Sequence, residues 1–217
     1  TEAGDLSPLS GWRAELYDPE NNLFHVWTGR GSPGTPIRWN GRTESGELVQ
    51  SGEDYTLVVT ATDSVSNAAS ASATVPVDIL VIREGDRLRI RVSSIYFVAY
   101  SDDYVNLDSD IARRNFETLD RIAAILRKYP QHSIRIEGHA VHVFWKDPAS
   151  AAREQEEVLL PLSANRAAAI KKALVQRGIG SSRMTTVGYG GSMPVVPHSD
   201  LENRWKNRRV EFILERR

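Results

Sequence analysis

The chain has 217 residues, of which 41% are apolar and 25% charged, and its formal net charge is -1. This composition is typical of a globular protein with one large or two ordinary domains. The sequence contains no cysteine, which excludes disulfides, thiolate metal sites and thiol nucleophiles. No apolar run reaches the about 20 residues of a membrane helix. Because the first residue is not methionine, we expect that a leader or a longer amino-terminal region precedes it.

Charge is distributed unevenly along the chain. Residues 1–80 contain 4 Lys and Arg against 11 Asp and Glu, and the remainder contains 23 against 17. The two parts therefore carry -7 and +6. This asymmetry favours an electrostatic contact between two domains or a different partner for each, with two independently solvated surfaces as the alternative.

Short alternating segments separated by turn residues fill the first part of the chain. The segments Trp12–Tyr17, Leu23–Trp27 and Tyr55–Ala61 predict strands. Several short strands at close spacing predict an all-β sandwich over residues 1–80. The spacing of Trp39-Asn40-Gly41, Gly46, Gly52 and Tyr55 also resembles the immunoglobulin-like module of the flagellar hook-capping protein family. That resemblance implies a spacer or adaptor role without catalysis.

Helical and strand patterns alternate over residues 81–217. Asp108 or Ser109 is expected to cap a helix that ends at Pro130, and Ser163 a second helix that ends at Gly178. The alternation at Val210, Phe212 and Leu214 predicts a strand with one buried face. This order predicts an α+β domain with a mixed sheet and helices on one face.

Several separated motifs of this second part occur in a characteristic order. They are Ile95-Tyr96-Phe97, Ile134-Arg135-Ile136-Glu137-Gly138-His139, Leu162-Ser163-Ala164-Asn165-Arg166-Ala167, Gly188-Tyr189-Gly190 and Asn207-Arg208-Arg209-Val210-Glu211. Together they resemble the OmpA-like carboxy-terminal domain. The resemblance implies a periplasmic module that holds peptidoglycan and is not an enzyme. Residues of about 143–160, which begin with the helix-start pair Asp147-Pro148, form an insertion relative to this family.

The resemblance also implies a ligand pocket. In the family, an aspartate after the Gly-His strand and an arginine in the Leu-Ser-x-x-Arg-Ala helix hold the ammonium and carboxylate of diaminopimelate. Arg166 matches the arginine, but Val141 stands at the aspartate position. The implied pocket residues are Gly138, His139, Val141, Arg166, Asn207, Arg208 and Arg209. Without the aspartate, we expect ordinary peptidoglycan binding to be weak or lost.

Two alternatives remain open at this point. Glu137 on the strand, or an acid of the insertion, could replace the aspartate and restore a working cell-wall anchor; the insertion offers Asp147, Glu154, Glu156 and Glu157. His139 and His142 could instead bind a metal, although residues three apart on a strand point to opposite faces. We expect no metal, because satisfied or surface histidines are far commoner.

The remaining function classes find little support in the sequence. Serine elbows, phosphate loops and catalytic acid pairs are absent from it, so we expect no enzyme activity and no cofactor. The carboxy-terminal charges are mixed, which argues against nucleic-acid binding. We therefore expect a structural or interaction protein of the periplasm, associated with the outer membrane of a diderm bacterium. Its expected partners are peptidoglycan, bound weakly if at all, and other envelope proteins contacting the β-sandwich or the insertion.

Overall fold

A computed structural model describes residues 7–32, 34, 36–92 and 95–216. These residues form two compact units. The first unit comprises the described residues up to Val49 together with Glu53–Val77, and the second comprises Gln50–Gly52 and the residues from Asp78 onward.

The first unit is a four-stranded antiparallel sheet. Its strands are β1 (Leu9–Tyr17), β2 (Leu23–Arg30), β3 (Asp54–Asp63) and β4 (Ala68–Pro76), in the order β2-β1-β3-β4. Strand β1 pairs with β2 on one side and β3 on the other. Phe24 packs edge-to-face on Tyr55 at 5.2 Å, and both side chains are buried. This contact helps to form a small apolar core on one side of the sheet.

The two hairpins of this sheet use the same turn chemistry. Asp18 accepts hydrogen bonds from the backbone N–H of Asn22 at 2.8 Å, and Asp63 accepts one from the N–H of Asn67 at 2.8 Å. A short carboxylate that bonds its own following backbone closes such turns. The repeated spacing of an aspartate and an asparagine four residues apart thus fixes both hairpins.

The immunoglobulin-like sandwich expected for this region is not confirmed. A sandwich needs two packed sheets, but the described residues of this unit contain one sheet and an isolated bridge between Arg42 and Leu48. The segment Ile37–Trp39 forms no strand. What the structure establishes is a β-rich unit built on one sheet.

The second unit contains a five-stranded mixed sheet in the order β5-β6-β9-β7-β8. Strands β7 and β8 are parallel, and the other neighbouring pairs are antiparallel. The strands are β5 (Val81–Glu84), β6 (Arg87–Val92), β7 (His132–His139), β8 (Met184–Gly190) and β9 (Val210–Arg216).

Three helices accompany this sheet. Helix α1 spans Ser109–Arg127, α2 spans Pro148–Glu154 and α3 spans Leu160–Gln176, and a π-helical turn, Gln155–Leu159, joins α2 directly to α3. Asp108 caps α1, and Asp147 caps α2 with Pro148 in its first turn, as the sequence predicts. Gly178 has φ +83°, the left-handed conformation that ends α3.

The core lies between the helices and one face of the sheet. Leu119 and Ile122 of α1, Ile170 of α3, and Ile136 and Phe212 of the sheet are fully buried in one cluster. Alternate strand residues point to this face because the side-chain period of a strand is two. The predicted α+β architecture with helices on one face is therefore confirmed for this unit.

Candidate functional site

Two glycines set the distance between α3 and the sheet. A Cβ at Gly138 of β7 would lie 2.1 Å from the carbonyl oxygen of Ser163, and one at Gly188 of β8 would lie 2.4 Å from the backbone N of Ala164. Neighbouring backbone cannot move aside cheaply, so only glycine permits this close approach. The glycines of the Gly-His and Gly-Tyr-Gly motifs therefore bring the first turns of α3 onto the ends of β7 and β8.

Ser163 connects these elements and does not cap a helix. Helix α3 begins at Leu160, and the Ser163 hydroxyl donates to the Leu160 carbonyl at 3.0 Å and accepts from the Gly190 N–H at 2.9 Å. The predicted cap at Ser163 is wrong because α2, the π-turn and α3 form one uninterrupted helical segment. The serine instead satisfies a backbone donor at the end of β8.

Arg166 lies one turn further along α3 and holds the segment before α1. Its Nε donates to the Ser101 carbonyl at 2.9 Å and its Nη2 to the Val98 carbonyl at 3.4 Å. The guanidinium also lies over the Phe97 ring at 4.7 Å, a cation–π contact. None of the described carboxylates is within ion-pair distance of Arg166.

The electrostatic environment of Arg166 is that of a cation without a counter-ion. Burial, together with the positive charge of the nearby Arg208, lowers its pKa to about 10. Asp102 acts in the opposite direction and is the acid whose charge reaches Arg166. A half-buried guanidinium with one carboxylate at longer range can donate parallel hydrogen bonds to an external carboxylate.

Val141 follows the end of β7 and is half-buried. The residue before it, Ala140, donates its N–H to the Gly190 carbonyl at 2.7 Å, so the ends of β7 and β8 remain joined here. An isopropyl side chain offers no acceptor for an ammonium group. The described residues therefore provide no carboxylate at this position.

Glu154, one of the candidate replacement acids, is buried and holds the loop after Val141. Its carboxylate accepts from the Val143 N–H at 3.1 Å and the Phe144 N–H at 3.2 Å. The His142 ring nitrogen Nδ1 lies 3.2 Å from the same carboxylate. Glu156 and Glu157 are exposed. The acceptor capacity of Glu154 is thus largely used within the protein.

Gln155 fixes the inserted segment to the end of β8. Its Nε2 donates to the Tyr189 carbonyl at 2.9 Å, and its Oε1 accepts from the Gly191 N–H at 2.8 Å. A side-chain amide that bonds a backbone carbonyl and a backbone N–H replaces the hydrogen bonds that a neighbouring strand would make. Because Glu154 and Gln155 bond adjacent loops, the insertion is an integral part of the site. Sequence analysis missed the role of Gln155, and the sequence pattern contained no signal for it.

The histidine pair His142 and His198 lies beside these contacts. The rings meet edge-to-face at 4.9 Å, and His198 Nε2 is 2.9 Å from the Gly191 carbonyl. Burial lowers the pKa of His198, and the Gly191 carbonyl partly opposes this shift. A neutral ring that donates through Nε2 and accepts the His142 N–H through Nδ1, at 3.4 Å, fits both contacts.

Asn207 organises the loop on the other side of the site. Its Oδ1 accepts from the Val195 and Val196 N–H groups at 2.8 and 3.2 Å, and its Nδ2 donates to the Val196 carbonyl at 2.9 Å. The residue is fully buried. Its amide therefore satisfies three backbone groups of a loop that precedes the last strand.

Arg208 and Arg209 have different environments although they are adjacent. Arg208 is exposed, and its charge reaches Arg166. Arg209 is buried, donates from Nε to Glu211 Oε1 at 2.6 Å and from Nη2 to the Met193 carbonyl at 3.1 Å. Both residues precede β9, and Arg209 lies two residues before Glu211, where extended backbone puts the two side chains on the same side.

The sheet face opposite the helices carries a buried ionic network around Glu211. Arg91 Nε donates to Glu211 Oε1 at 2.8 Å, and Arg89 Nη1 donates to Glu211 Oε2. Burial alone would raise the pKa of Glu211, but Arg209, Arg91 and Arg89 lower it to about 2. The carboxylate therefore stays ionised over the physiological range.

His139 is buried beside this network and stacks on Tyr189 at 5.4 Å. Ligand atoms of Glu137, His139 and Glu211 all lie within 4.8 Å of one another, a spacing that could hold a metal ion. However, Glu211 already contacts three arginines, and Glu137 accepts from Arg135 at 2.7 Å. A dication would meet that concentration of positive charge, so the donor set does not suit a metal. His139 and His142 are not brought together, because His142 contacts His198 and Glu154.

Comparison with known proteins identifies the second unit. Residues 108–208 match the model of the OmpA family. The chain is 38% identical over 112 residues to a peptidoglycan-associated lipoprotein of Rhizobium meliloti, covering 51% of this chain and 58% of that protein. The chain thus spans less than two thirds of the curated relatives' length. The second unit contains an OmpA-like domain.

Two solved structures resemble the chain at the level of the fold. The periplasmic domain of Helicobacter pylori MotB aligns with a TM-score of 0.50 and 26% identity, covering 63% of this chain and 78% of that one. A putative MotB-like protein from Desulfovibrio vulgaris aligns with a TM-score of 0.50 and 29% identity, covering 64% and 82%. These relatives are structural and binding proteins, which supports the prediction that the chain is not an enzyme. None of the described helices is long and apolar enough to cross a membrane.

Proposed function

We propose that the chain is a non-enzymatic component of a bacterial cell envelope, and that its OmpA-like domain contacts peptidoglycan only weakly through Arg166. The observation that carries this proposal is the half-buried Arg166 guanidinium, which has no carboxylate within ion-pair distance among the described residues. This guanidinium can donate hydrogen bonds to a ligand carboxylate. The relatives named peptidoglycan-associated lipoprotein support the ligand class.

The weak binding to peptidoglycan follows from the side chain at position 141. If a ligand carries both an ammonium and a carboxylate, Arg166 can bind the carboxylate, but Val141 provides no counter-ion for the ammonium. Leaving one charge of a buried pair unmatched costs about 2–5 kcal/mol. This cost corresponds to a loss of affinity of roughly 30-fold or more.

A working cell-wall anchor is the alternative, and its replacement acid would have to come from elsewhere. Glu154 is the least suitable insertion acid, because its carboxylate bonds two backbone N–H groups and lies beside His142. Glu156 and Glu157 are exposed and carry no hydrogen bond described for the chain. Asp102 is a further candidate, because its charge reaches Arg166.

The wider role is part of the same proposal. The chain acts in the periplasm, in association with the outer membrane, and residues 1–80 and 81–217 work as two domains. The β-rich unit serves as an immunoglobulin-like spacer or adaptor that contacts other envelope proteins. The inserted segment of residues 143–160 adds a second surface for such partners, since Phe144 is 57% exposed.

Co-sedimentation with purified insoluble peptidoglycan tests the proposal. We expect little wild-type protein in the pellet, more of the Val141→Asp variant, and no gain for Val141→Asn, which matches the new side chain in size but has no charge. Arg166→Ala should remove whatever binding the wild type has. Strong pelleting of the wild type that Arg166→Ala abolishes would contradict weak binding and support the anchor.

Further variants identify the acid if the wild type does bind. Loss of pelleting in Asp102→Asn, with no loss in Glu156→Gln or Glu157→Gln, would assign the acid to the segment before α1. The opposite result would assign it to the insertion. Saturable binding that survives all of these changes and Arg166→Ala would show that the ligand occupies another site.

A further inference from the structure

A groove of about 580 Å³ lies at the opposite end of the second unit from Gly138 of β7 and Gly188 of β8. Its charged lining comes from three segments that meet there: Arg83 of β5, Lys128 at the end of α1, and Arg216 of β9, together with Asp86 in the turn between β5 and β6. A concave surface of this size is large enough for a small ligand.

The cations of this groove lack the partners that neighbouring cations have. Arg87 is bound to Glu215 at 3.0 Å and Arg89 to Glu84 at 2.9 Å. Arg83, Lys128 and Arg216 make no ion pair with the described residues. Three cations against Asp86 leave the groove lining with a net charge of +2. Clefts lined by one sign of charge concentrate the field and attract counter-ions.

The backbone around the groove does not cancel this positive field. Carbonyl groups at the end of α1 would repel an anion, but Arg183 binds one of them and two carbonyls that follow the helix. It donates to the Tyr129 carbonyl at 2.7 Å, to the His132 carbonyl at 3.1 Å and to the Leu126 carbonyl at 3.3 Å. Arg183 therefore offsets part of the negative potential at the helix end and adds a fourth cation behind the groove wall.

We propose that this groove binds a phosphate-bearing anion, either a soluble phosphate compound or the headgroup of an anionic lipid. A phosphate monoester carries a charge of about -1.5 to -2 at neutral pH, which matches the +2 of the lining. Arginine recognises phosphate through paired N–H donors, and lysine binds it as a point charge. A single carboxylate would neutralise only half of the lining charge.

The proposal is independent of peptidoglycan binding. None of the residues that line the groove belongs to the group of Val141, Arg166 and Asn207. Failure of one proposal therefore leaves the other intact, and the two can be measured separately on the same preparation.

The test is a titration of the full chain with inorganic phosphate, followed by the backbone NMR signals of residues 83–88 and 128–132. We expect saturable shifts confined to these segments and to Arg216. An Arg83→Ala/Lys128→Ala/Arg216→Ala variant should bind at least about 10-fold more weakly, since several charge-assisted contacts are lost. A matched control, Arg114→Ala/Arg121→Ala/Lys172→Ala, removes three exposed cations outside the groove and should bind like the wild type.

Vesicles distinguish the two sources of phosphate. In one outcome, the chain co-sediments with phosphatidylglycerol vesicles and not with phosphatidylcholine vesicles, and loses this binding in the groove variant. That result would identify a lipid headgroup as the ligand. Saturation by inorganic phosphate without vesicle binding would assign a soluble compound. Equal loss in the groove variant and the matched control, or unsaturable shifts spread over the surface, would overturn the proposal. Unchanged thermal unfolding of both variants verifies that the fold is intact.

Discussion

Replacing Glu211 with glutamine should strongly destabilise the second unit. The change removes the one negative charge that Arg209, Arg91 and Arg89 share, while leaving the three guanidinium groups in place. Arg209 is buried and cannot recover this interaction from water. Removing one partner of a buried ion pair typically costs about 3–5 kcal/mol.

The pKa of Glu211 gives a second, consistent magnitude. Its lowering from 4.5 to about 2 corresponds to roughly 3 kcal/mol, at 1.36 kcal/mol per pKa unit. Because the folded-state pKa is below the unfolded one, this stabilisation is complete above about pH 4.5 and is lost as the pH falls toward about 2. Wild-type stability should therefore decline over this window, and the Glu211→Gln variant should lack that component.

Urea unfolding followed by circular dichroism at 222 nm measures this effect, since the described helices all lie in the second unit. Glu215→Gln is the matched control. Glu215 lies on the same strand but is 37% exposed and bonds Arg87 at the surface, so its loss should cost less than about 1 kcal/mol. Equal free energies of unfolding for the two variants would refute the reasoning.

Three further measurements test the geometry of the site. Gly188→Ala would place a Cβ 2.4 Å from the backbone N of Ala164, and we expect a loss of roughly 1–3 kcal/mol in urea unfolding. The imidazole of His198 should titrate below its ordinary pKa of 6.5 in an NMR titration, because burial disfavours the charged ring. The folding stability linked to this residue is complete above pH 6.5 and falls as the pH drops below that value. Glu154→Gln should speed amide hydrogen exchange in the loop that it holds by about 10-fold, equivalent to one charge-assisted hydrogen bond.

Each of these changes has a control. Gly180→Ala should be tolerated, because its Cβ would meet only the Arg183 side chain at 3.9 Å. Glu156→Gln should leave amide exchange unchanged, since Glu156 is exposed. His198→Asn should flatten the decline of stability below pH 6.5. An unperturbed His198 titration, or rapid exchange in both glutamate variants, would contradict the contacts described here.

The sequence predicts well those features that depend on local chemistry. Asp108, Asp147 with Pro148, and Gly178 mark helix ends by capping or by a left-handed φ, and those signals depend on neighbouring residues alone. Strand β9 is also found where the sequence predicts it, but Val210 to Leu214 are all buried, so both of its faces are covered and not one. The family motifs assign Arg166 and Asn207 to the second unit, but they do not predict which groups these two residues bond.

The features missed from sequence depend on contacts distant along the chain. Strand β4 consists largely of alanine and serine, which have low strand propensity, and forms because it pairs along its length with β3. The partners of Arg166 are backbone carbonyls, which have no residue signature. Serine is a residue type favoured at helix caps, but the π-turn Gln155–Leu159 leads directly into α3, so Ser163 lies inside the helix.

That π-turn determines how the inserted segment is oriented relative to Arg166. A regular α-helix rotates by about 100° per residue, and a π-turn accommodates one extra residue in a turn. Adding or removing a single residue within Gln155–Leu159 would therefore swing α2 by about a quarter of a turn around the axis it shares with α3. Glu154 and Gln155 would then face away from the loops that they bond. The insertion therefore tolerates changes of sequence on its exposed side far better than any change of length.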